Sequence, residues 1–304
     1  MNVTPTHFFK SSAAVLLAVR LAAPCLLAGN LTWNAGGGAD TGFMLASNWN
    51  PDQAPASGDT LTLDSPFTAI FSAASGNVAV SRMFVSGSGV LKITGGSLDS
   101  SLPGNYSNEV GRGSPGIVIQ SGGTHAIGHR LRIGSASGGN GIYQLSGGLL
   151  SVYRNVASGI DTSKGAVSID LGEAGAPGLL EIAGGAMETR SGIAIGATGV
   201  FSVSGSTATS IGIGSKQNSD GFWIQKAGSV LKVRLDGGGA TRVFIDQVDN
   251  TGGKGDVVFD SGSLLDIGFL AGSDENGSWD IMSWEGTLTN NGLALAPGVD
   301  PRFW

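Results

Sequence analysis

The residues able to do acid–base or metal chemistry are few, and their spacing is the first constraint. His125 and His129 lie four apart in Thr124-His125-Ala126-Ile127-Gly128-His129, and His7 is the only other histidine. On a helix that spacing places two imidazoles over one metal ion. The segment reads as β, where residues four apart share a face but stand ~13 Å from each other. That is too far for one zinc, so a surface or turn role is expected for both. Asp246, Asp249, Asp256, Asp260 and Asp266 form a dense carboxylate stretch with Arg242 and Lys254 nearby. Calcium takes several oxygen ligands, which such clusters supply, but the expected reading is solvated carboxylates in turns. Glycosidic cleavage needs two carboxylates converging at a defined separation, and the spacing selects no pair. Trp33, Trp49, Trp223, Trp279 and Trp284 offer aromatic faces, either as a sugar-stacking platform or as plugs for a core. Gly36 to Gly38 and Gly237 to Gly239 are not phosphate loops, because neither is followed by Gly-Lys-Ser/Thr. The expectation is no catalytic, no cofactor-binding and no metal-binding residues.

Composition explains why such residues are scarce. Of 304 residues 52 are glycine, charged residues make up 13% and hydrophobic residues 41%. That combination departs from ordinary enzymes, and it lacks the high charge and low hydrophobicity of disorder. It suits many short strands joined by tight turns. The net charge is −6, and the 17 Lys and Arg are scattered, which argues against a nucleic-acid partner. Residues 1–29 read as a cleaved export signal: Lys10 precedes an apolar run from Ser11 to Val19, Arg20 interrupts it, and small residues end at Ala28-Gly29. Cys25, the single cysteine, lies inside that segment, so the mature chain has no disulfide to rely on. No later stretch is long and apolar enough to span a bilayer.

Self-similarity is the strongest internal signal. Seven segments share a frame of Gly, a five-residue apolar-rich stretch, a Gly-rich turn and a second short strand. They open at Gly89, Gly116, Gly141, Gly178, Gly199, Gly221 and Gly255. A second step, apolar-x-apolar-Gly, recurs at Leu131 to Gly134, Ile193 to Gly196 and Ile211 to Gly214. One such unit cannot bury its apolar face alone, but stacked units make a continuous core. The shortest spacings, 21 and 22 residues, are below the ~40 of a propeller blade. The expected fold is all-β: a right-handed parallel β-helix, or solenoid, with distinct N- and C-terminal caps. Residues 30–75 are expected as the N-terminal cap region, 76–272 as the repeat body and 273–304 as the C-terminal cap. The two ends are aromatic and Pro-rich, as in Trp33, Trp49 and Pro51 or Trp279, Trp284 and Pro297.

Several stretches carry a family resemblance. Leu31-Thr32-Trp33-Asn34-Ala35-Gly36-Gly37-Gly38, then Ser47-Asn48-Trp49-Asn50, Pro55 and Gly58-Asp59-Thr60, resembles the opening of bacterial exported proteins of the autotransporter-associated β-strand repeat type. The Ser-Gly-Gly turns at Ser121 to Gly123 and Ser146 to Gly148 are similar to their repeats, and Asp280 to Trp284 with Gly292 to Leu295 to their closing strands. The resemblance implies a passenger-like β-helix at the cell surface or outside the cell, with a structural or adhesive role. Cell-surface glycans or other surface proteins are the expected partners. The sequence departs from that type in showing no C-terminal membrane barrel or sorting tail. The alternative is a carbohydrate-active β-helix: a polysaccharide lyase, a hydrolase or a glycan-binding module. Gly252-Gly253-Lys254-Gly255-Asp256 is similar to the calcium-binding glycine-rich nonapeptide but lacks one residue and occurs once.

Overall fold

The computed structural model describes residues 28–100, 107–153, 155–156, 159–160, 167–205, 210–214, 221–236, 240–245, 255–273 and 278–300. Residues 1–27, and with them Cys25, His7 and nearly all of the expected export signal, lie outside the described residues. Among the described residues the regular structure is β-strand plus three short 3-10 turns, with no α-helix. The strands form an 11-stranded sheet, a 13-stranded sheet and one small hairpin. Pairing is parallel throughout except in that hairpin and between Asn30–Trp33 and Trp49–Asn50.

The chain alternates between the two large sheets. From the first sheet, Arg82–Val85, Ser107–Arg112, Arg130–Ala136 and Val167–Leu171 are followed in turn by Gly89–Ser100, Pro115–Ile127, Asn140–Val152 and Gly178–Thr189 of the second. Each strand therefore pairs with its counterpart one circuit away. This is an all-β fold with long parallel sheets, compatible with a β-helix or solenoid. The long strands of the second sheet shift register at their glycine pair and so supply two arms. In later circuits the bend becomes a break: Gly199–Ser204 is followed by a separate Ser210–Ile213, and Val230–Leu235 by Val243–Ile245. The parallel stack already includes Asn30–Trp33, Thr60–Leu63 and Thr68–Phe71.

Register turns the alternation of each strand into columns of inward side chains. Leu91, Val118, Tyr143, Leu180, Phe201, Leu231 and Leu265 stand one above another in the second sheet. Leu131, Ile169, Ile193, Trp223 and Val257 do the same in the first. All twelve are buried, and each such side chain contributes about 1.5–3 kcal/mol relative to exposure. Parallel strands one circuit apart cannot form this core in isolation, which is why the repeat must stack.

The glycine frame has a steric cause. Gly89, Gly116, Gly141, Gly178 and Gly199 are aligned across five circuits. A Cβ on Gly116 would stand 2.0 Å from the carbonyl oxygen of Val85 in the circuit before it. At Gly148, φ is +80° and a Cβ would meet the Gly123 carbonyl oxygen at 2.3 Å, so both backbone conformation and close stacking require glycine.

The frame breaks for its last two copies. Gly221 and Gly255 open Phe222–Gln225 and Asp256–Phe259, and these strands belong to the first sheet, in line with Gly192–Ile195. The column of opening glycines continues instead through Ser229 and Ser263, which precede Val230–Leu235 and Leu264–Phe269. Serine at those corners hides the repeat from a glycine search. The Ile211 to Gly214 step is likewise displaced: Ser210–Ile213 pairs with the second arm of Gly178–Thr189, whereas Leu131 and Ile193 lie in the first sheet.

Aromatic side chains concentrate at the N-terminal end of the stack. Trp33, Trp49, Phe43 and Phe71 are fully buried and touch in sequence at ring-centroid distances of 5.1–5.2 Å, near perpendicular. The Trp49 Nε1–H donates to the Phe43 carbonyl at 2.7 Å, which satisfies the polar edge of a buried indole.

Candidate functional site

His125, expected at the surface or in a turn, is inside the stack. His125 is 1% exposed and occupies the column of Val78, Leu98, Leu150 and Met187 on the second arm. Aligning the Gly-Gly pairs at 95–96, 122–123, 147–148 and 184–185 places His125 under Leu98, Leu150 and Met187, and this is the signal that locates it. His129, which is partly exposed, lies beyond the end of that strand at Ile127, in the bend before Arg130–Ala136. The same alignment puts Gln120 in the column of Ile93, Leu145 and Ile182, and Tyr143 in that of Leu91 and Leu180.

These three polar side chains form one buried chain. Gln120 Nε2 donates to the carbonyls of Gly123 and Leu149 at 3.3 and 2.9 Å, which fixes its Oε1 as an acceptor. Tyr143 donates its hydroxyl proton to that Oε1 at 2.6 Å. The Tyr143 oxygen can then only accept from His125 Nδ1, 2.9 Å away. His125 is thereby set as the neutral Nδ1–H tautomer, with Nε2 buried and unpartnered among the described residues. Burial alone lowers the His125 pKa from 6.5 to about 3 and raises that of Tyr143 well above its ordinary value. Both groups are buried, and the chain of hydrogen bonds links neighbouring circuits.

The carboxylates are distributed along the surface. Asp256 accepts a hydrogen bond from the Thr287 backbone N–H at 2.7 Å, one circuit on. Asp260 pairs with Lys226 at 3.1 Å and Asp266 with Arg234 at 2.9 Å. Each bond crosses from one circuit to the next, so these acids act as rungs. Asp246, Asp249 and Lys254 lie outside the described residues, and Arg242 is exposed. Among the described residues no three His, Cys, Asp or Glu side chains converge on a common point. Trp33, Trp49 and Trp223 are buried, Trp223 edge-on to Phe201 at 5.0 Å, so these three are core aromatics. Trp279 is partly buried against Phe269 at 5.1 Å, and Trp284 is 38% exposed.

Sequence reasoning missed the arginines of the first sheet. Arg82, Arg112, Arg130 and Arg132 fall on its outer side in three consecutive circuits. Glu109 is 5% exposed and receives Arg82 and Arg112, each at 3.5 Å, while Ser135 donates to it at 2.8 Å. Asp170 takes Arg130 at 3.1 Å, and Glu173 takes Arg132. The Arg82 and Arg112 guanidinium groups also lie 4.1 and 5.3 Å from the centre of the Phe84 ring, within cation–π range. The signal was available, since outward positions alternate with the inward columns. No protein-family model matches this chain, and no curated protein or solved structure shows significant similarity to it.

Proposed function

We propose that the chain is an exported structural or adhesive protein whose working part is the lateral surface of the stack. On this reading it is a right-handed parallel β-helix. Residues 1–29 direct export, the aromatic ends at residues 30–75 and 273–304 cap it, and 76–272 present its surface. Its place would be the cell surface or the extracellular space, in the manner of the autotransporter-associated repeat proteins it resembles. Its partners would be surface glycans or other surface proteins. The observation that carries the reading is the inter-circuit ladder of paired charges, Arg82–Glu109–Arg112 and Arg130–Asp170 on one face with Lys226–Asp260 and Arg234–Asp266 further along. The more exposed of these pairs, Lys226–Asp260 and Arg234–Asp266, contribute little stability each, ~0–1 kcal/mol, but all of them hold long side chains in fixed positions, which suits a recognition surface. The absence of any cysteine after Cys25 is consistent with an exported domain held by packing alone.

The test is to produce the full chain in a Gram-negative host, shave intact cells with protease and sequence the N-terminus of the processed protein. The expected result is a new N-terminus near Asn30 and a product that is released by protease or found in the medium. A cytosolic product that retains residues 1–29 would overturn the proposal.

A further inference from the structure

Alternation in the second sheet sets each inward column beside an outward one, and the first outward column is aliphatic. Val90, Ile117, Ile142, Leu179, Val200, Val230 and Leu264 stand in register over seven consecutive circuits. Each is partly exposed, whereas the residue that follows it, from Leu91 to Leu265, is buried. Strand propensity favours β-branched side chains but does not dictate this face. In the circuits of Ile117, Ile142 and Leu179 the first sheet puts Glu109, Arg132 and Asp170 at its outer positions. An unbroken aliphatic column on the outside is therefore explained by what it meets.

The columns on its two sides differ in charge. Further along the strands, the next outward column carries Lys92, Glu181, Lys232 and Asp266, with Ile119, Gln144 and Ser202 among them. On the other side lies the corner, where Ser88, Pro115, Asn140, Pro177 and Thr198 are exposed and uncharged, and Gly228 and Gly262 continue the row. Three columns about 6.6 Å apart, over seven circuits of about 4.8 Å, make a face of roughly 650 Å2. Two such faces together bury about 1,300 Å2, which reaches the size of a stable protein–protein interface.

We infer that this face is a dimer interface whose partner is a second copy of the chain. Two identical faces meet around a two-fold axis in the plane between them. With that axis along the stack and through the aliphatic column, every residue of the column packs on its own copy. The strands of the two copies then run antiparallel, about 10 Å apart, and the charged column lies opposite the neutral corner. Within these three columns no like charges meet. An axis along the strands at Leu179 would set Glu181 against Glu181, so the charges select the first arrangement. Ile142 sits inside the column between Ile117 and Leu179, where a desolvated contact contributes most. The inference rests on the reading of the lateral surface as the working part and names a partner for one face of it.

The experiment is sedimentation velocity of the purified full chain from about 1 to about 100 µM, with the thermal midpoint of each variant recorded alongside. The parent should reach a dimer of twice its 30.5 kDa mass. Ile142→Lys and Ile142→Glu should each weaken association about a hundredfold or more, because two like charges then meet on the axis. Mixed one to one, these two variants should form a heterodimer, since Ile142 faces its own copy. Ile142→Thr keeps a β-branched, uncharged side chain and should weaken association about tenfold at an unchanged midpoint. Ala194→Lys, at an outer position of the first sheet, should dimerise as the parent does. A parent that is monomeric at about 100 µM overturns the inference, whether or not it binds phosphatidylcholine vesicles instead. So does association that survives either charge at Ile142, a mixture that stays monomeric, or an Ile142→Thr protein that dimerises as tightly as the parent. Export plays no part in these outcomes, so failure here is distinct from failure of the export reading.

Discussion

His125 stands in a column whose other members, Val78, Leu98, Leu150 and Met187, are aliphatic, and among the described residues its polar partner is the Tyr143 hydroxyl. Tyr143 and Gln120, the polar groups it meets, are both neutral in the acid range. Its pKa falls to about 3 in the fold against 6.5 in the unfolded chain, so the fold binds the neutral form. The sign follows from linkage. Above pH 6.5 neither state holds the proton and His125 costs nothing. Between pH 6.5 and about 3 the unfolded chain takes up a proton that the fold refuses, and stability falls as the pH falls. The full loss is on the order of 4–5 kcal/mol by pH 3. His125→Leu, which continues the aliphatic column, should remove that slope. The check is the urea midpoint of both proteins at a series of pH values. Equal slopes from pH 6.5 to 4 would show that His125 is protonated without penalty.

At the scale of the element, two corners of each circuit tolerate no Cβ: the one that opens the long strands of the second sheet, at Gly116, and the glycine pair that joins their two arms, at Gly148. Three substitutions separate the causes. Gly116→Ala keeps an ordinary φ and meets the Val85 carbonyl oxygen; Gly148→Ala meets the Gly123 oxygen and must also hold a positive φ; Gly113→Ala has φ +66° with open space around it. Gly113→Ala should cost about 1 kcal/mol, the conformational term alone. The other two should each cost more than ~3 kcal/mol, because a backbone oxygen in the adjacent circuit must move. Denaturant midpoints decide this, and a Gly116→Ala protein as stable as Gly113→Ala would refute the steric account. The five aligned opening glycines were legible in the sequence for this reason: the corner admits no other residue. Ser229 and Ser263 were not legible, since the later corners accept a side chain and the apolar pattern there matches either sheet. His125 was legible in principle but obscured, because its chemistry suggests water and only alignment on Gly-Gly reveals its column.

For the whole molecule, a stack in which each circuit touches only its neighbours should be unevenly stable. The central strands Gly89–Ser100, Pro115–Ile127, Asn140–Val152 and Gly178–Thr189 run 12–13 residues and are paired on both sides. At the C-terminal end, Leu288–Asn290, Ala294–Leu295 and Met282–Trp284 have two or three residues each, pair on one side only and are partly or fully exposed. The N-terminal end is short-stranded too, yet Trp33, Trp49, Phe43 and Phe71 fill it without gaps to solvent. If those aromatics act as a cap, the two ends should differ despite similar strand lengths. Hydrogen exchange read by mass spectrometry should show amides of residues 60–63 nearly as protected as those of 115–127. Amides of residues 282–295 should exchange at least about a hundredfold faster, through local opening of the last circuit. Equal protection at both ends would mean that the stack unfolds as one unit and that the aromatic cluster adds nothing special.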